Sequence, residues 1–131
     1  MTTDTQTTVA VSRIANVIVP VNDQDAMLAF YTEKLGLEKR ADVPFGDGNR
    51  WIEVAPAGSE TVVAICPPGP GNTAGEKETG ITLQTDDIDA YRERLAAAGV
   101  DVDDEVSRMG DPVPPLFWLR DPEGNTLMVV G

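Results

Sequence analysis

The strongest constraint on this chain is that its punctuation occurs twice. Asp23 recurs as Asp87, Asp25 as Asp89, Ala26 as Ala90, and Gly46-Asp47 as Gly110-Asp111, each time 64 residues further on. Later the spacing becomes 66, because Pro56 matches Pro122 and Gly58 matches Gly124. Few other side chains are identical, so what repeats is the order of helix caps and turns. Such self-similarity marks one supersecondary unit built twice in tandem. In a chain of 131 residues both copies must share a single domain.

Each copy reads strand, helix, then three strands. Ser12–Val21 (SRIANVIVPV) is dense in β-branched residues, with Pro20 near its end where a missing ladder donor is tolerated. Asn22 or Asp23 caps a helix carrying Met27, Phe30, Tyr31 and Leu35, closed by Gly36. Strands are expected at 37–43, 50–55 and 61–66, separated by GDGN and PAG turns. In the second copy a strand at 79–85 leads to a helix capped by Asp86 or Asp87, with Ile88, Tyr91 and Leu95 on its apolar side. Strands follow at 100–108, 115–120 and 126–130. The expected organisation is therefore a mobile tail at 1–11, a first module at 12–66, a Pro/Gly linker at 67–78 (PPGPGNTAGEKE) and a second module at 79–131.

Composition narrows the chemistry. The 22 acidic residues against 10 basic ones, a net charge of −12, argue against nucleic acid and anionic membranes as partners. The same charge would draw in cationic small molecules, or simply keep the protein in solution. Histidine is absent, so no Ser-His-Asp or Cys-His arrangement exists. With Cys66 the one possible nitrogen-or-thiolate ligand, any metal would have to be held by oxygen. A lone cysteine and the lack of a basic, apolar leader in residues 1–13 predict a cytoplasmic protein. The charge-free run 61–75 is broken by three prolines and three glycines and cannot span a bilayer as a helix.

Two βαβββ modules, a VPVND segment before the first helix, TDDIDAYRERL at the second and a late DPEGN turn resemble the vicinal oxygen chelate superfamily of glyoxalase I, extradiol dioxygenases and bleomycin-resistance proteins. The resemblance spans residues 12–131 and is closest in type to the small bleomycin-resistance-like binding proteins. It implies an α+β fold in which tandem modules curl mixed sheets into a cup, formed within one chain or across a homodimer. It also implies metal-ligand positions on the first and last strand of each module, here Asn16, Gly80, Val62 and Met128. None of these is a carboxylate or imidazole, and a one-residue slip to Ala15, Val17, Ile81 and Leu127 is no better. The expectation is a scaffold without metal or other cofactor.

If those positions face inward, strand alternation turns Ile14, Ile18, Ala64, Thr82, Gln84, Thr126 and Val130 to the cavity as well. That mixture of small, amide, hydroxyl and thioether groups suits an organic ligand, or fills a closed interior. Phe45, Trp51, Phe117 and Trp118 are the aromatics left for ligand contact, with Trp51 and Phe117 equivalent under the later offset. Arg50 and Glu53 flank Trp51, and Glu53 shares its face. Cys66 reads as packing, and the acidic run 101–106 as a solvated edge strand. The predicted ligand-binding set is thus Asn16, Phe45, Arg50, Trp51, Glu53, Gly80, Thr82, Phe117, Trp118 and Met128, with no catalytic residue. The predicted partner is a small molecule, hydrophobic and aromatic or cationic, such as an antibiotic. The alternative is a glyoxalase-like lyase or isomerase, or a dioxygenase-related enzyme, with Glu53 as general base. A module serving only dimerisation or regulation is a third reading.

Overall fold

The computed structural model describes residues 9–131; residues 1–8, most of the expected tail, lie outside it. The chain runs β1 (Asn16–Pro20), α1 (Gln24–Ala29), a π-helical turn (Phe30–Lys34), β2 (Glu38–Pro44), β3 (Arg50–Ala55) and β4 (Val62–Cys66). It continues through β5 (Glu78–Gln84), α2 (Ile88–Ala97), β6 (Asp101–Val102), β7 (Leu116–Arg120) and β8 (Thr126–Val130). Two four-stranded sheets result, in the orders β1-β4-β3-β2 and β5-β8-β7-β6, each with one parallel pair (β1–β4, β5–β8). The α+β fold of two βαβββ modules is as expected, and the two sheets are not hydrogen-bonded into one closed surface.

The caps form where the sequence places them. The Asp23 carboxylate accepts from the Ala26 amide at 2.9 Å, and Asp87 from the Ala90 amide at 3.1 Å. Other expectations need correction. The first strand is half the expected length, because Asn16 lies opposite Val62, the first residue of β4, and the chain before it has no ladder partner. The first helix changes pitch at Phe30, where the Leu35 amide reaches back five residues to the Phe30 carbonyl. The strand expected at 100–108 shrinks to Asp101–Val102 plus a bridge between Ser107 and Leu116. The Asp103 side chain is the reason: it takes the Trp118 amide at 3.0 Å and Arg120 Nη2 at 2.9 Å, in place of continued backbone pairing.

One core serves both modules. Val19, Ile52, Val54, Val63 and Ile65 of the first sheet and Phe117, Leu119, Leu127 and Val129 of the second meet Met27, Phe30, Tyr31, Ile88 and Leu95 of the helical segments. Polar bonds seal the seam. Tyr31 donates its hydroxyl to Asp121 Oδ2 at 2.8 Å, Tyr91 donates to the Leu35 carbonyl at 2.7 Å, and Lys34 donates to the Ala98 carbonyl at 2.9 Å. Within the DPEGN turn, Asp121 also accepts from the amides of Glu123 and Asn125 and from Asn125 Nδ2. The Glu123 carboxylate then reaches across to the amides of Asn22 and Asp23, each at 2.8 Å.

Gly75 and Gly124 permit the end of the linker to lie against this turn. A Cβ on Gly75 would meet the Glu123 carbonyl at 2.7 Å, and one on Gly124 would meet Glu76 at 3.1 Å. Both have left-handed backbones, which glycine adopts without strain.

Burial, and then the Asp121 charge and hydrogen bond, push the Tyr31 phenol well above its ordinary range. Its contribution to stability is therefore complete below about pH 10, the unfolded value, and is lost on the alkaline side. Tyr31→Phe should cost about 1–3 kcal/mol in urea unfolding at neutral pH, because a buried carboxylate loses a donor. It should also flatten the loss of stability that sets in above about pH 10.

Candidate functional site

Side chains alternate across each sheet, so the residues absent from the core define a second face. On the first sheet, register places Asn16, Ile18, Val62, Ala64, Glu53, Trp51, Ala41 and Val43 together on that face. On the second, Thr82, Met128 and Trp118 lie side by side, flanked by Gln84, Val130 and Leu116 on one side and Glu78, Thr126 and Arg120 on the other. None of these belongs to the shared core cluster, although Val62 and Ala64 on the central strand are themselves buried. Both tryptophans are half-buried, whereas Ile18 (48%), Val43 (51%) and Phe45 (54%) are substantially exposed.

The first sheet brings together Trp51 and Glu53, whose side chains hydrogen-bond, Trp51 Nε1 donating to Glu53 Oε2 at 2.9 Å. Asn16 sits beside Val62 at the start of the parallel pair. Phe45 projects just beyond β2, at the hairpin whose amide–carbonyl bond to Asn49 closes the GDGN turn. Arg50 departs from expectation. It lies on the helix-facing side with Ile52, its guanidinium bound to both Asp42 oxygens at 3.0 Å and to Asp25 at 2.5 Å. Gln24 Nε2 donates to the Arg50 carbonyl, so this residue ties α1 to the hairpin and is directed away from Trp51.

The second sheet corrects two more placements. Phe117 is fully buried in the core, opposite Val129, while its neighbour Trp118 takes the open face opposite Met128. The expected equivalence of Trp51 with Phe117 fails for the same reason. Glu53 pairs with Ala64, and Trp118 with Met128, so the match in this region is Glu53 with Trp118, an offset of 65. Likewise Ala64 pairs with Ile18, and Met128 with Thr82; hence Met128 corresponds to Ala64 and Thr126 to Val62, and the 64-residue offset returns in the last strand in place of 66. Gly80 stands in a bulge between Glu78 and Thr82, with a left-handed backbone and open space where a side chain would be.

A depression of about 480 Å³ opens on this sheet, lined by Trp118, Arg120 and Thr126 and by the approaching segment Glu76, Lys77 and Glu78, with Gly124 at one end. Among the residues singled out from sequence, only Trp118 and Thr126 line it. Arg120 shares the face of Trp118 at two residues' distance, a signal present in the sequence. Glu78 was hidden because it falls in the expected linker, whereas the strand begins with it and the bulge sets it opposite Thr126.

The donor chemistry does not fit a bound metal. With the register in place, the first- and last-strand positions are Asn16 and Val62 on one sheet and Glu78, Gly80, Thr126 and Met128 on the other, Glu78 lying opposite Thr126 as Asn16 lies opposite Val62. They offer one amide, one hydroxyl, one thioether and a single carboxylate, far fewer than the six oxygens a hard cation takes. Among the described residues no three His, Cys, Asp or Glu side chains cluster so as to hold an ion. Cys66, buried in β4, has its thiol pushed up chiefly by burial, which disfavours the nucleophilic thiolate. No helix among the described residues is long and apolar enough to cross a membrane.

Comparison with known proteins agrees with this geometry. Residues 13–129 match the family model of the Glyoxalase/Bleomycin resistance protein/Dioxygenase superfamily, and the chain belongs to that superfamily. Among solved structures it is similar to TnmS3, an antibiotic binding protein from Streptomyces sp. CB03234, at 35% identity and a TM-score of 0.81 over 92% of this chain and 96% of that one. A superfamily member from Sphaerobacter thermophilus superposes at a TM-score of 0.82 with 31% identity, covering 92% of this chain and 97% of that one. The Bacillus subtilis protein YetH is 31% identical over 91% of this chain and 98% of its own length.

Two outcomes follow. Arg50→Ala should lower the thermal midpoint by a few degrees, since two partly exposed ion pairs contribute up to about 1 kcal/mol each. It should leave ligand affinity unchanged. Iodoacetamide should modify Cys66 at pH 8 roughly tenfold or more slowly than a free cysteine, with equal rates in urea.

Proposed function

We propose that this chain is a metal-free small-molecule binding protein that sequesters a hydrophobic, aromatic compound such as an antibiotic on the open faces of its two sheets. The observation that carries the reading is that each open face bears one half-buried tryptophan, while the positions that hold ligands in metal-using relatives bear no metal-binding set. Indole offers a large, rigid contact for planar rings, and Met128 beside Trp118 adds an adaptable thioether. Similarity to an antibiotic binding protein at 35% identity supports the same choice.

The working form in this reading is a cytoplasmic homodimer. The first sheet exposes Ile18, Val43 and, just beyond β2, Phe45, which a second copy would cover while completing the site. Light scattering should therefore return twice the 14.0 kDa chain mass.

Tryptophan fluorescence and thermal shift against a panel of planar antibiotics test the binding, with growth protection of sensitive cells as the functional readout. Trp118→Ala should weaken the best ligand roughly fivefold or more, from the loss of one aromatic contact. A panel that gives no quenching, no shift and no protection overturns the reading. A tightly held metal, lost together with turnover in Glu53→Ala, would replace it with the enzyme reading.

A further inference from the structure

We propose that the cavity on the second sheet selects planar ligands that carry a positive charge and rejects anionic ones, with Trp118 supplying the ring contact and Glu76 and Glu78 the charge. The inference rests on the binding-protein reading above and narrows it to one class of ligand. Four charged side chains line the cavity, and formally they cancel: Glu76 and Glu78 against Lys77 and Arg120. Their surroundings break the balance. Arg120 is held at 2.9 Å by Asp103 and at 3.6 Å by Asp101, two carboxylates that do not line the cavity. The Lys77 ammonium is turned onto the carbonyl of Thr73. Glu76 and Glu78 have no ion pair and no side-chain hydrogen bond among the described residues.

The local sum is therefore negative. Charges beyond a Debye length of about 8–10 Å are largely screened at physiological salt, so these neighbours set the field more than the net −12 does. An anionic ligand would need a free guanidinium or ammonium, and of the two cations that line the cavity only Lys77, bonded to a carbonyl and not to a carboxylate, keeps an unpaired charge, outnumbered by Glu76 and Glu78. Arg120 is committed to Asp101 and Asp103, and Arg50 to Asp42 and Asp25 on the other side of its sheet. A cationic ring finds the opposite: the face of an indole, the aromatic that attracts cations most strongly, beside two unpaired carboxylates.

Three probes of one shape decide it: 10-methylacridinium (cation), acridine (neutral at pH 8) and acridine-9-carboxylate (anion), titrated against the full chain by tryptophan quenching. The cation should bind about tenfold or more tightly than the anion. The double variant E76Q/E78Q should cost the cation about three- to tenfold, as expected for losing two exposed charge partners, and leave acridine unchanged. Trp118→Ala should weaken all three. The control E33Q/E93Q changes net charge equally but on the helices, and should leave the cation's affinity unchanged.

Equal affinity for cation and anion, or an equal loss in the helix control, overturns the proposal. If the chain binds members of the antibiotic panel but none of the three acridines, charge selection falls and the binding-protein reading stands. If it binds neither set, both fall.

Discussion

The fold depends on one buried carboxylate. Asp121 sits at the turn between β7 and β8, and its two oxygens take a hydroxyl from the first module, two backbone amides and a side-chain amide from its own turn. A charge so enclosed is tolerable only when its acceptors are satisfied, so the turn and Tyr31 must be placed together or not at all. Glu123, two residues on, extends the hold to the amides that precede α1. The modules are thereby joined through the helical side of the sheets, and their opposite faces are left free of core duties.

That division of labour explains the site. A face released from packing can carry residues that a core would exclude, and here it carries the indoles, Glu53, Asn16, Thr82 and Arg120. The superfamily's scaffold has been kept and the donor set at the metal positions has not. What remains on those positions, an amide beside valine on one sheet and a bulge glycine with threonine, methionine and one glutamate on the other, supplies few of the oxygens a hard cation takes.

Much of this was legible in the residues. The Asp23 and Asp87 caps, the DPEGN turn and the β-branched runs gave the order of elements, because caps and turns are local chemistry that needs no partner to be read. Face assignments from alternation held for Trp51 and Glu53, and they required Phe117 and Trp118 to separate. Which of those two went inward was decided by register with β8, a long-range fact. Arg50 was misread because its partners, Asp25 and Asp42, lie on elements that only the fold brings together. The Asp103 side chain truncated β6 by replacing ladder bonds, something strand propensity does not encode. Glu78 has the parity of Gly80 and Thr82 and so shares their face, but it lay outside the expected strand at 79–85, and the bulge at Gly80 sets it opposite Thr126.

The repeat carries one more consequence. The two platforms occupy equivalent places but no longer match: Ala64 stands where the other has Met128, and Glu53 where the other has Trp118. A duplicated scaffold with identical halves would accept a guest in two flipped poses of equal energy. Here a guest would meet an alanine and a carboxylate on one platform and a methionine and an indole on the other, so the degeneracy would be lifted and a lopsided guest would have a single preferred orientation.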